Sequence, residues 1–149
     1  MKLDYCIIGG VALAPYNFSR STEDVDFLIS MRAFKTIKEE LIGKGYTFVP
    51  GSTKNMYYHI GTKKVKIYIL IEGDHNGSQI MPNPTEVRQK IGGVWYLSLK
   101  ELIKFKILAS RPQDKSDVQR LIVENDLKRS FGEDLGDQAQ IFFIWYDER

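Results

Sequence analysis

The chain has 149 residues, 43% of them hydrophobic and 27% charged, with a net charge of +2. That is the size of one ordinary domain with a core of its own, and the balance excludes a disordered tail or a fibrous repeat. The small net charge argues against a general nucleic-acid surface, and the single cysteine, Cys6, excludes an internal disulfide. With no signal-peptide pattern and no apolar run of membrane-spanning length, a cytoplasmic setting is expected.

Tyr5-Cys6-Ile7-Ile8 reads as a short buried strand that stops at Gly9-Gly10, and Val11 to Ala14 favours a helical turn before Pro15. Asp24 to Ser30 reads as the next strand. Side chains two apart share a face, so Val25, Phe27 and Ile29 turn to the core while Asp24, Asp26 and Leu28 turn the other way. Two carboxylates roughly 6 to 7 Å apart on one strand face can grip one hard cation together.

Met31 to Ile42 carries Phe34, Ile37, Leu41 and Ile42 at helical spacing and ends at Gly43 and Gly45, after which Tyr46 to Val49 resumes a strand. Met56 to Ile60 and Val65 to Ile71 flank a glycine-containing loop and are expected to pair antiparallel. In the second of these, Val65, Ile67, Ile69 and Ile71 share the core face, leaving Lys66, Tyr68, Leu70 and Glu72 opposite. Gly73 to Pro84 reads as a long loop suited to substrate contact or mobility. Ser98 and Glu101 form a capping box for a helix through Ala109. Arg111-Pro112 breaks that helix, Asp114 can cap another through about Glu124, and Gly132 to Arg149 reads as a final aromatic helix. The phenylalanine-rich tail is most simply core, and His59 and His75 have no zinc spacing.

Taken alone, Gly9-Gly10 fits an ordinary turn, and Asp24 with Asp26 fits a solvated sheet face. Their ordered combination is more specific. Ile8-Gly9-Gly10-Val11-Ala12-Leu13, then Arg20-Ser21-Thr22 leading into Asp24-Val25-Asp26-Phe27-Leu28, and finally Leu97 to Ala109 with Arg111 and Asp114 to Val118, resemble the nucleotidyltransferase superfamily over most of the chain. The resemblance implies one domain of the α/β (α+β) class. A short mixed sheet with a metal site (residues 1–96) would carry helices on one face, and C-terminal helices (residues 97–149) would pack on it.

It also implies transfer of a nucleoside monophosphate, AMP from ATP, to a hydroxyl of a small molecule or protein. Asp24 and Asp26 would be the catalytic carboxylates holding Mg²⁺ or Mn²⁺, with Gly9, Gly10, Arg20, Thr22 and Lys106 at the nucleotide. Arg20 also fits a surface pair with Glu23, Lys106 a half-buried helix lysine, and Arg111, Lys115 and Asp117 a charge network at a helix start. One position departs from the pattern. Where the superfamily carries a third acid, this chain has Tyr68, and a phenol is a poor magnesium ligand. Glu72, roughly 13 Å further along an extended strand, does not replace it. The departure opens a second reading, a nucleotide-binding or antitoxin-like partner protein with impaired catalysis, acting through a homo-oligomer or a protein partner.

Overall fold

Apolar alternation in the first two thirds of the sequence folds into a seven-stranded mixed sheet. The computed structural model describes residues 3–18, 24–50, 55–61, 65–77 and 79–147. The chain divides into two units, Met1–Ala12 with Arg20–Leu97 and Leu13–Ser19 with Ser98–Arg149.

The first unit contains β1 (Tyr5–Ile8), β2 (Asp24–Ile29), β3 (Tyr46–Phe48), β4 (Asn55–His59), β5 (Lys66–Ile71), β6 (His75–Asn76), β7 (Gln79–Ile80), β8 (Arg88–Ile91) and β9 (Val94–Leu97). The main sheet runs β3-β4-β5-β2-β1-β9-β8. Two of its pairings, β2 with β5 and β1 with β9, are parallel and the others antiparallel. β4 and β5 pair antiparallel as expected, with Tyr57 opposite Ile67.

One face of this sheet carries Ile29, Tyr57, Ile67 and Ile69, all buried. Helix α1 (Phe34–Gly43) lays Phe34, Ile37 and Leu41 against that cluster, the i, i+3, i+7 spacing of an amphipathic helix. Its predicted first turn is instead a 3₁₀ turn at Met31–Ala33, because Ser30 caps that turn by accepting from the Ala33 N–H at 3.2 Å. Leu3, Tyr5, Phe27, Ile37, Leu41 and Ile69 also line a cavity of about 250 Å³ on this side of the sheet. On the opposite face Cys6 and Leu28, register partners, have no exposed surface. Burial pushes the Cys6 thiol up to about 12, with the Arg88 charge opposing, so this cysteine is packing material.

Two elements differ from the sequence reading. Gly73 to Pro84 is not one irregular loop, since β6 and β7 form a two-stranded ribbon within it and Asn83 caps the short α2 (Pro84–Val87) through its acceptance of the Thr85 N–H. The hairpin β8–β9 has no counterpart in that reading. Its two-residue turn is Gly92-Gly93, with φ of 58° and 81°, and a turn that needs two left-handed residues is one that paired glycines supply.

The second unit contains α3 (Leu99–Ala109), α4 (Pro112–Glu124), a 3₁₀ segment at Arg129–Leu135 and α5 (Asp137–Asp147). The final helix is thus shorter than the sequence suggested, interrupted by Gly136 at φ 91°. Leu102, Ile103, Val118, Leu121, Ile122, Ala139 and Phe143 are buried. Asp114 sits at the third position of α4 rather than at its cap, which is Arg111, with Pro112 at the first helical position where its missing N–H costs nothing. No described helix is long and apolar enough to cross a membrane.

Ser98 caps α3 by accepting from the Glu101 N–H at 3.3 Å. Ser98→Ala is expected to lower stability by about 1 kcal/mol, read as a reduced urea midpoint at unchanged slope.

Candidate functional site

β1 and β2 run antiparallel with Ile8 opposite Asp26, so the chain leaves β1 beside the second acid. At that point Gly9 turns with φ 71°, a left-handed value that side chains resist. The neighbour explains the choice. A Cβ built on Gly9 would overlap the Asp26 carboxylate and lie 3.1 Å from its Cγ, so the bend and the acid occupy adjoining space only because this residue has no side chain. The 3₁₀ segment Gly10–Tyr16 begins immediately after, and the Gly9 carbonyl accepts from the Ala12 N–H at 3.1 Å.

Asp24 and Asp26 alternate with Val25 along β2, share one face, and are both half-buried. The parallel neighbour β5 sets Lys66 beside Asp24 and Tyr68 beside Asp26. Antiparallel β4 adds Tyr58 opposite Lys66 and Met56 opposite Tyr68. This strip therefore includes two acids, one lysine, two tyrosines and Met56. Alternation had put Lys66 on the Tyr68 face, and strand register adds its place beside Asp24 and brings in Tyr58.

Tyr68 stands directly beside Asp26. Two further acids close in sequence are engaged elsewhere. Glu72 accepts from the Met31 N–H at 2.9 Å and from the Asn83 side chain at 3.1 Å. Asp74 folds back over Gly73 to accept from the Ile71 N–H at 3.0 Å. Among the described residues no three His, Cys, Asp or Glu side chains form a metal-binding group. The cavity near α1 is lined from the Phe27, Ile29 and Ile69 face, the side of the sheet away from the acids.

Arg20 and Thr22 lie outside the described residues. Lys106 lies in the second unit, where its ammonium contacts Asp117 at 2.8 Å and Asp114 at 3.6 Å, nearly sealed from water. Asp117 also accepts from the Gln113 amide at 2.9 Å. Arg111 closes the network, its Nε 2.6 Å from Asp114, whose carboxylate also accepts the Arg111 N–H at 3.2 Å. A helix break, a buried lysine and two buried aspartates thus form one ionic knot that ties α3 to α4. For Asp114, burial pushes the carboxyl up, but hydrogen bonds and charge from Arg111, with the Lys106 charge, outweigh it and hold it below the ordinary range.

Comparison places this architecture among known folds. The antibiotic-resistance factor ANT(2″)-Ia, in complex with adenylyl-2″-tobramycin, superposes with a TM-score of 0.58 at 14% identity, over 99% of this chain and 88% of that one. The lincosamide antibiotic adenylyltransferase LnuA, with lincomycin bound, superposes with a TM-score of 0.55 at 12% identity, over 78% of this chain and 84% of its own. The fold is that of the nucleotidyltransferases. No family model matches the chain, and no curated protein matches it in sequence.

Within this nucleotidyltransferase fold, the Gly9 bend and the ionic knot each carry a prediction. Gly9→Ala is expected to cost about 1–3 kcal/mol from its left-handed backbone and to displace the Asp26 carboxylate, read together by thermal unfolding and by metal-ion titration. Asp114 stabilises the fold above about pH 4, and that contribution disappears as pH falls through its lowered value. Asp114→Asn is accordingly expected to lose stability at neutral pH and to show a flatter acid limb in a pH series of urea midpoints.

Proposed function

We propose that this chain transfers a nucleoside monophosphate, AMP from ATP, to a hydroxyl of a small molecule or protein. The observation that carries the reading is the Gly9 bend packed on the Asp26 carboxylate, with Asp24 on the same strand face, in a nucleotidyltransferase fold. Backbone N–H groups at Gly9 and Gly10 would approach the phosphates where no Cβ intervenes, and Arg20 and Thr22, which lie outside the described residues, keep their assignment to the nucleotide from the sequence pattern alone. The neighbours, one an adenylyltransferase and one in complex with an adenylyl-antibiotic, support the choice of an adenylyl group.

Asp24 and Asp26 are the residues that would hold Mg²⁺ or Mn²⁺. The donor set fits, since Mg²⁺ keeps several waters and takes one or two carboxylates together with substrate phosphates. Once bound, the ion neutralises charge on the phosphates undergoing displacement. The protein's own work is to hold both carboxylates on one strand face beside the Gly9 bend and to present Lys66 next to Asp24. Lys106, already engaged by Asp114 and Asp117, is assigned here to joining α3 and α4.

A second reading is favoured by one residue. Tyr68 occupies the place beside Asp26 where a third carboxylate would help activate the acceptor, so the chain binds nucleotide as a partner protein with little transfer to outside acceptors. The two readings share a site and divide at catalysis.

Titration with ATP and Mg²⁺ tests both. Magnesium-dependent binding is expected, weakened about tenfold or more in Asp24→Ala. An Asp24→Ala variant indistinguishable from the parent rejects the metal assignment. With binding established, Tyr68→Asp is expected to raise pyrophosphate release with hydroxyl acceptors about tenfold, equivalent to about 1.4 kcal/mol of barrier. No gain counts against Tyr68 as the missing ligand.

A further inference from the structure

We propose that Tyr68 is itself an acceptor, so that the chain nucleotidylates its own Tyr68 hydroxyl. The inference rests on the nucleotidyl-transfer reading above and names an acceptor for it. Tyr68 is the register partner of Asp26 across parallel strands, and parallel partners present their side chains to the same face. An aspartate at this position would carry its oxygens on Cγ. Tyrosine begins its ring at that carbon, so its hydroxyl reaches a full ring further out from the sheet than a third carboxylate would.

Three further observations support a nucleophile at this place. Tyr68 is half-buried, with its neighbours Ile67, Ile69 and Leu70 buried, so its strand position is held by packing while part of the side chain remains in contact with water. Its hydroxyl makes no hydrogen bond to a described residue, and no buried polar side-chain atom among the described residues lacks a partner, so this oxygen is accessible rather than stranded. Glu72 and Asp74 are each held by backbone N–H groups elsewhere, so neither of these two acids comes between Tyr68 and its register partner Asp26.

The step balances without further reactants. The Tyr68 oxygen forms a bond to the α-phosphorus, the bond from that phosphorus to the oxygen bridging to the β-phosphate breaks, and pyrophosphate leaves with the electron pair. The phenolic proton passes to water. The product is an O-nucleotidyl tyrosine in the strip between Asp26 and Met56, where it occupies the face that an outside acceptor would use.

The test incubates the full chain with Mg²⁺ and ATP labelled at the α-phosphate, followed by intact-mass measurement and peptide mapping. The expected result is a mass gain of one nucleoside monophosphate per chain, mapped to Tyr68, absent from Tyr68→Phe and retained in Tyr46→Phe, a tyrosine packed against the apolar cluster on the other face of the sheet, with no label from γ-labelled ATP. Magnesium-dependent nucleotide binding with no mass gain, or with label on a different residue, overturns the proposal and leaves nucleotide binding standing. Absence of binding overturns the parent reading, and this one with it.

Discussion

The site depends on one steric allowance, the missing Cβ of Gly9 beside the Asp26 carboxylate. β1 must end where its partner strand presents an acid, and the chain must then turn sharply enough to start a helical segment. A side chain at the turn would collide with the acid and would also be strained by the left-handed backbone. Glycine removes both obstacles at once. What remains is a carboxylate set directly against half-buried glycine backbone.

Sheet order then decides which side chains join that acid. β2 is held between antiparallel β1 and parallel β5, so one neighbour supplies the bend and the other supplies Lys66 and Tyr68. The two faces of the sheet have separate roles. Phe27, Ile29, Ile67 and Ile69 bind α1 and line a cavity, while Asp24, Asp26, Lys66 and Tyr68 form the polar strip. A register shift of one residue would exchange the two sets, so the apolar cluster that stabilises the fold also keeps the acids aligned.

The helical unit solves a different problem with the same residue types. Lys106, Asp114, Asp117 and Arg111 are charged, yet the lysine and both aspartates are buried where α3 gives way to α4. Buried charges are costly unless fully paired, and here each carboxylate has at least two partners. The motif-like spacing of this segment therefore has a local structural cause. A lysine, a break with Pro112, and acids at the third and sixth positions of the next helix close one network.

Much was legible in the sequence alone. Period-two alternation marked β2 and β5, a short apolar run before the glycine pair marked β1, the glycine-containing loop marked β4 as the partner of β5, helical spacing marked α1, and Ser98 marked the start of α3, because each signal is local. The parity of β2 placed both acids on one face, and the parity of β5 turned Tyr68 away from the apolar core. Tertiary structure decided the rest. The β8–β9 hairpin, the β6–β7 ribbon, the place of Lys66 beside Asp24 and the burial of Lys106 all depend on which segments meet, and pairing between distant strands or helices leaves no trace in the periodicity of either one. The contact of Gly9 with Asp26 is the clearest case. Sequence supplied a flexible residue and an acid, and only the register of β1 on β2 made the first necessary to the second.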